Sequence, residues 1–138
     1  MAFGAIQKYP IEVTSSLRPQ RAIGVSIPFN ADDVFRPTFT TQEQIKSNLL
    51  NYFLTNKGER VFNPFFGSNI RSYIFEQLNN QTYSNLENII QTDIQRYFPS
   101  ITVNKLEIYG FEDSNQLQIE LYYSVKNFAI NDQITFIL

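Results

Sequence analysis

The chain has 138 residues, of which 43% are hydrophobic and 17% charged, and its formal net charge is -2. These values fit one globular domain with its own core and argue against a basic surface for nucleic acid. With no histidine and no cysteine, the sequence excludes disulfides, serine-histidine and cysteine-histidine catalysis, and metal sites built from imidazole or thiolate.

Targeting signals and ligand motifs are equally scarce. No apolar run approaches the roughly 18 residues of a membrane span. The start, M-A-F-G, lacks a charged segment ahead of an apolar one, so we expect no secretory signal and synthesis in the cytoplasm. Gly24 and Gly110 are isolated and lack the spacing of a phosphate-binding loop. We expect no cofactor, no metal, no nucleic acid and no membrane.

The N-terminal part divides into an arm and a short strand. Residues 1–20 show no hydrophobic periodicity and contain prolines, which predicts an extended arm ahead of a single domain at 21–138. Residues 21–29 alternate apolar and polar side chains and predict a strand that ends at Pro28. Residues 30–39 predict a loop.

Three helices are predicted next. The first follows a capping box at 40–43, with a second possible frame one residue later, and Gly58 is expected in the left-handed position that closes this helix. Ser68 is expected to cap a second helix, with Ile70, Ile74, Phe75 and Leu78 on its buried side. Residues 79–81 predict a polar break. A third helix starts at Thr82 or Ser84 and stops before Pro99, with an inward set of Leu86, Ile89, Ile90, Ile94 and Tyr97.

Strands make up the rest of the chain. Alternating segments at 101–103 and 106–108 are out of phase by one residue and predict a bulge near Asn104 and Lys105. Strict alternation over 117–125 predicts the clearest strand. The order of elements predicts an α+β fold, in which three helices cover one face of a small antiparallel sheet that ends in a three-stranded meander.

The last strand is the predicted edge of that sheet. It is predicted over 132–138, follows a predicted turn at 127–132 and reaches the end of the sequence. Its apolar residues lie on both faces, an arrangement that is a hazard for a monomer and suits strand addition by another chain. Packing against the N-terminal arm is the alternative. The residues at issue are Ile134, Thr135, Phe136 and Ile137.

Acidic residues permit one catalytic hypothesis. Glu59 lies between two predicted helices and resembles the general acid of a glycoside hydrolase, which needs a second carboxylate across a cleft. The candidates are Glu76, Glu87 and Asp93, each on a polar or mixed helical face where solvated acids are ordinary. We therefore expect no catalytic residue. The preferred interpretation is that Glu59 and Arg60 form charge-assisted hydrogen bonds that hold their segment or a partner.

That segment, residues 55–67, is called the link. Asn63 and Pro64 predict a turn, and Gly67 is expected at positive φ. Three phenylalanines within five residues cannot all face one core, so at least one is a candidate interface anchor, with full burial the alternative. They are Phe62, Phe65 and Phe66.

These residues also carry a resemblance to a known family. The chain has I-x-x-N-L-L-x-x-x-L-T-x-x-G-E-R at 45–60, N-P-x-F-G at 63–67 and I-F-E at 74–76, preceded by I-G-V-S-I-P-F at 23–29. Over about residues 21–138 it resembles the small wedge protein of contractile phage baseplates, the family named for gene product 25 of T-even phages and for the W protein. Type VI secretion baseplates contain a similar subunit.

The resemblance implies a structural role in the virion. Members are expected in the inner baseplate near the tail tube, in six-fold arrangement, attached to a helical core bundle of larger wedge proteins. Their C-terminal part resembles the interlocking domain of the sheath protein and is thought to offer sheet edges to sheath arms, which starts sheath assembly. The family has also been labelled a lysozyme, which is the alternative function.

One departure from the family affects the expected interface. Many members carry Glu-Pro-Arg at the end of the third helix, whereas this chain has Phe98, Pro99 and Ser100, so a retained contact is expected to be apolar and anchored by Phe98. The expected interface residues are Gly58, Glu59, Arg60, Asn63, Pro64, Phe65, Phe66, Gly67, Phe98, Pro99, Ser100, Ile134, Thr135, Phe136 and Ile137.

Overall fold

A computed structural model describes residues 21–27 and 35–138. Its elements are β1 (Gly24–Val25), β2 (Pro37–Thr38), α1 (Thr41–Leu54), a 3₁₀ helix (Ile70–Phe75), α2 (Asn80–Tyr97), β3 (Ile101–Phe111), a 3₁₀ turn (Glu112–Ser114), β4 (Gln116–Val125) and β5 (Ile130–Ile137). The predicted α+β class, with its C-terminal three-stranded antiparallel meander, is confirmed.

The start of α1 follows the predicted capping box. The Thr40 hydroxyl accepts a hydrogen bond from the backbone N–H of Glu43 at 3.2 Å, and the Glu43 carboxylate accepts one from the N–H of Thr40 at 3.3 Å. The predicted end was wrong. The helix stops at Leu54, and Thr55 leaves it in an extended conformation, so Gly58 lies in a later turn.

The second predicted helix is a single short 3₁₀ segment. Ser68 is not its cap; the Ser68 side chain is buried and its hydroxyl donates to the carbonyl of Phe53 at 3.1 Å. In a 3₁₀ helix residues three apart share a face, not four. Ile70 is buried, and Tyr73, Ile74 and Leu78 pack partly against the core, whereas Phe75, predicted to be buried, is 88% exposed.

Helix α2 begins earlier than predicted. The Asn79 side chain accepts a hydrogen bond from the N–H of Thr82 at 2.9 Å, so residues 79–81 form the cap and first turn of the helix, not a break. Of the predicted inward set, the three fully buried members are Leu86, Ile90 and Ile94. The helix ends before Pro99, as predicted.

The sheet has the order β3-β4-β5, with the predicted bulge between Val103 and Lys105. Strand β4 is central, and every second residue from Leu117 to Val125 is buried. The predicted turn at 127–132 is too long, because Asn131 and Asp132 already pair within β5. Asn127 takes a φ of 67°, which permits a tighter reversal.

The helices cover one face of this sheet. Helix α2 packs on β3 and α1 on β5, where the rings of Phe53 and Phe136 stack at 5.5 Å with an interplanar angle of 10°. The face opposite the helices carries the side chains that alternate with the buried set. Within the described residues, no helix is long and apolar enough to span a membrane.

A second, two-stranded ribbon lies against α1. Only Gly24 and Val25 of the predicted strand at 21–29 form β1, and they pair with Pro37 and Thr38 inside the predicted loop. A proline is tolerated there because a two-stranded ribbon has open edges. The predicted stop at Pro28 and the predicted arm at 1–20 lie outside the described residues.

The register of β5 predicts a contrast between neighbouring residues. Phe136→Ala is expected to lower the free energy of unfolding by about 3–5 kcal/mol, because it empties a buried site in the core. Ile137→Ala, the matched control on the exposed face, is expected to change it by less than about 0.5 kcal/mol. Urea denaturation measures both. Equal losses would show that the assigned faces of β5 are wrong.

Candidate functional site

The link is a compact loop whose two ends meet. The carbonyl of Thr55 accepts a hydrogen bond from the N–H of Ser68 at 2.9 Å, and Asn56 and Ser68 form a parallel bridge. Across the loop, the N–H of Gly58 donates to the carbonyl of Pro64 at 2.7 Å. These bonds hold the link as a rigid projection rather than a loose connection.

Two glycines set the path of the backbone. Gly58 has a φ of +86° and Gly67 a φ of +111°, so both lie in the region that favours glycine. A Cβ atom on Gly67 would lie 2.4 Å from the carbonyl oxygen of Thr55, whereas one on Gly58 would meet nothing within 4 Å. Gly67 is thus needed for both conformation and space, and Gly58 for conformation alone.

Glu59 and Arg60 make contacts near or within the link. The Glu59 carboxylate accepts a hydrogen bond from the N–H of Asn56 at 2.8 Å. The Arg60 guanidinium donates to the side chain of Asn51 at 3.0 Å and lies 3.9 Å from the centre of the Phe66 ring. Each charged group therefore has a partner in its own chain. The Glu59 carboxylate is the acceptor of the backbone hydrogen bond that closes its own turn.

Tyr52 joins the link to the end of α2. Its ring is fully buried and lies 5.4 Å from the ring of Phe66 and 5.7 Å from that of Phe98, both edge to face, with Tyr97 at 4.9 Å. Edge-to-face pairs place the positive ring edge on the negative ring face. The structure thus brings the predicted segments 58–67 and 98–100 together on one residue of α1.

The remaining phenylalanines of the link face solvent. Phe62 is fully exposed and Phe65 is 80% exposed. The neighbouring Val61 side chain is also mostly exposed. The prediction that at least one of the three phenylalanines faces outward is confirmed, with Phe66 the inward member. Large apolar side chains on a rigid projection are typical of interface anchors.

Residues 98–100 form a tight corner after α2. Phe98 is half-buried in the aromatic cluster around Tyr52, while Pro99 and Ser100 are exposed. The carbonyl of Ser100 accepts a hydrogen bond from the N–H of Lys126 at 2.7 Å, which ties the corner to the turn between β4 and β5. Only part of the Phe98 ring is left for a partner.

The acids considered for catalysis do not all converge. Glu76 and Asp93 line one shallow depression of about 380 Å³ with Lys57, but Glu59 and Glu87 are not part of its lining. Burial raises the pKa of Asp93, and the Tyr52 hydroxyl and Lys57 partly offset this effect. The hydroxyl faces the carboxylate without the geometry of a full hydrogen bond. Among the described residues, no acidic group has the arrangement of a metal site.

Within residues 21–27 and 35–138, no strand pairs with the outer side of β5, which is thus an open edge of the described sheet. Leu117 and Leu138 exchange both backbone hydrogen bonds, which identifies them as a hydrogen-bonded antiparallel pair. Such pairs alternate along a ladder, so the register directs alternate backbone groups of β5 away from β4. The residues with outward N–H and C=O groups are Asn131, Gln133, Thr135 and Ile137.

The four predicted interface residues of β5 therefore divide into two kinds. Ile134 and Phe136 are buried in the core and pair with β4, so their side chains do not project into solvent. Thr135 and Ile137 are exposed and have outward backbone groups. An added strand would contact the backbone of these two residues.

Two structurally important residues escaped the sequence analysis. Tyr52 was missed because a tyrosine beside Phe53 looks like part of an ordinary apolar helix face, although a buried hydroxyl needs a polar neighbour. Asp132 was placed at the junction of the predicted turn and the predicted last strand, so its position inside β5 opposite Tyr123 was missed. The alternation continuing from Ile134 back to Ile130 is the signal that identifies the longer strand.

Comparisons with known proteins agree with this geometry. The family model described as baseplate wedge protein gp25 matches residues 40–128. Over 81 residues the chain is 33% identical to baseplate wedge protein gp25 of Enterobacteria phage T4, a match that covers 59% of this chain and 61% of that protein. The chain thus spans less than two thirds of the length of this relative.

Solved structures show a similar fold. A candidate tail lysozyme from Geobacter sulfurreducens has a TM-score of 0.63 at 23% identity, covering 72% of this chain and 90% of its own. A chain of the anti-feeding prophage baseplate has a TM-score of 0.59 at 22% identity, covering 74% of this chain and 82% of its own. At these identities the likeness shows the fold alone.

The fold and the family motifs define a small α+β subunit of the contractile-tail type. The chain belongs to the baseplate wedge protein gp25 family, which confirms the resemblance found in the sequence.

The two link glycines predict unequal effects of the same substitution. Gly58→Ala is expected to cost about 1 kcal/mol of unfolding free energy, from backbone strain alone. Gly67→Ala is expected to cost about 3 kcal/mol, because the carbonyl of Thr55 must also move. Thermal or urea unfolding of the two variants measures the difference. Equal costs would contradict the close packing at Gly67.

Proposed function

We propose that this protein is a non-enzymatic structural component of the inner baseplate wedge of a contractile phage tail. It joins the wedge core to the sheath and starts sheath assembly by strand addition at β5. The observation that carries the proposal is an open, regular β5 edge in a member of a baseplate wedge family.

The two edges of the sheet differ in a way that favours β5. Strand β3 is interrupted by the bulge between Val103 and Lys105, which breaks the regular spacing of its backbone groups. A bulge is a usual protection of a sheet edge. Strand β5 pairs without a register shift from Ile130 to Ile137, so its outward groups form an unbroken template.

The link and the 98–100 corner are the proposed contacts with other wedge proteins. Phe62 and Phe65 project from a loop whose own hydrogen bonds and glycines hold it rigid, so little conformational entropy is lost on docking. Tyr52 anchors both segments, which supports a single continuous docking surface. Six-fold arrangement in the virion, contact with the tail tube and synthesis in the host cytoplasm belong to the same proposal.

A tail lysozyme is the second candidate. It is supported by the depression that Glu76 and Asp93 share and by the name of the Geobacter sulfurreducens neighbour. It is less well supported because the depression is shallow. In addition, Glu59, which was considered as the general acid, accepts a hydrogen bond from the N–H of Asn56. Glycoside hydrolysis needs two carboxylates that flank the scissile bond within a substrate cleft.

Blocking the edge tests the leading proposal. Thr135→Pro removes an outward N–H but leaves the hydrogen bonds to β4, so the domain is expected to fold, while sheaths fail to grow on baseplates that carry it. Thr135→Val is the control, because it keeps the N–H and is expected to support normal sheaths. Complementation of a phage lacking the gene, with sheath length measured by electron microscopy, distinguishes them.

Point substitution is preferable to removal of the strand. Deleting 132–138 would take Ile134 and Phe136 from the core and unfold the domain for a reason unrelated to the edge. Normal sheaths with a folded Thr135→Pro protein would contradict strand addition at β5.

The lysozyme candidate has a direct test. The purified protein is expected to release no soluble fragments from labelled peptidoglycan, and Glu76→Gln and Asp93→Asn are expected to behave as the wild type. Egg-white lysozyme serves as the positive control in the same assay. If the wild-type protein released soluble fragments and either substitution abolished that release, the protein would be an enzyme. The depression would then be its active site.

A further inference from the structure

Asp132 occupies a special position at the open edge of β5. It pairs with Tyr123 of β4, so its side chain points to the face of the sheet that carries Ile134 and Phe136. It lies near the strand end, where that face is only half covered. An acidic side chain beside the core at an open edge is a device by which native sheets discourage unwanted pairing.

The Asp132 carboxylate holds one of the outward backbone groups. Its Oδ1 atom accepts a hydrogen bond from the N–H of Gln133 at 2.8 Å, and its Oδ2 atom lies 3.5 Å from the Tyr123 hydroxyl. Among the described residues the one ion pair joins Lys105 to Glu107, so Asp132 has no cation there. A partner strand that approaches this edge therefore finds the N–H of Gln133 already hydrogen-bonded and the Asp132 carboxylate without a cation beside it.

The geometry of an added strand specifies what can neutralise that charge. The existing sheet is antiparallel throughout, and antiparallel pairing is the more stable arrangement per residue. In such a pair Asp132, Ile134 and Phe136 would stand at the closely spaced positions, each directly opposite one side chain of the partner. A cationic side chain opposite Asp132 would form a cross-strand ion pair.

Resting on the proposed strand addition, we propose that β5 selects an extended segment of a partner protein with apolar residues opposite Phe136 and Ile134 and Lys or Arg opposite Asp132. In the order of the partner's sequence, the pattern is apolar-x-apolar-x-Lys/Arg. On docking, the carboxylate leaves the N–H of Gln133 for the cation, and that N–H enters the new ladder. The ion pair also sets the register, because a shift of two residues moves the cation to Ile134.

The free protein must first show an open edge. In hydrogen exchange on the full chain, the amides of Thr135 and Ile137 are expected to exchange at least about tenfold faster than those of Ile134 and Phe136, which bond to β4. Equal protection of all four would mean that another part of the chain already covers the edge, and it would overturn the selection of an external segment.

The closing experiment compares two synthetic ten-residue peptides that follow the pattern and differ only in carrying Lys or Glu opposite Asp132. Wild-type protein is expected to bind the Lys peptide about fivefold more tightly, the effect of one cross-strand charge pair. Asp132→Asn should remove the preference and Asp132→Lys should reverse it. Glu120→Gln, on the opposite face of the sheet, is the matched control and should keep the preference.

The outcomes separate this inference from the proposed function. Equal binding of the two peptides, or no binding of either, overturns the selection by Asp132. Strand addition itself is then tested separately, by whether baseplates that carry the Thr135→Pro protein form normal sheaths. Circular dichroism and unfolding midpoints of the Asp132 variants show whether a lost preference reflects the charge or a damaged strand.

Discussion

The buried ring of Tyr52 is the contact on which the arrangement of the outer segments depends. It receives Phe66 from the link and Phe98 from the corner after α2, each edge to face. The guanidinium of Arg60 lies over the ring of Phe66. Because one helix residue holds both segments, the projecting Phe62 and Phe65 are presented on a rigid base, as protein interfaces require of their anchors.

The sheet combines a protected edge with an open one. The bulge in β3 hinders pairing on that side, whereas β5 pairs with β4 in a regular register and the Asp132 carboxylate occupies the N–H of Gln133. A subunit with one usable edge can extend a sheet in a single direction. This asymmetry is compatible with ordered assembly. Two open edges would instead favour uncontrolled aggregation.

The acidic residues show why residue type alone is a weak guide to catalysis. Glu59 follows a glycine in a conspicuous motif, yet its carboxylate accepts a hydrogen bond from the backbone N–H of Asn56 in its own turn. Asp93 has a raised pKa because it is buried, with the Tyr52 hydroxyl facing it. Perturbed acids occur in structural networks as well as in active sites, and here Asp93 faces Tyr52, the residue that holds the link and the 98–100 corner.

The sequence by itself determined what depends on local pattern: the cap of α1, the alternation of β4, the bulge in β3, the α+β class and the family. Each is set by side-chain spacing or by a short-range hydrogen bond. Tertiary structure decided what depends on competing contacts. Ser68 bonds to Phe53 instead of capping a helix, the 3₁₀ helix moves Phe75 outward, and pairing with β4 extends β5 back to Ile130. Residues distant in sequence supply those partners, so no local periodicity records them.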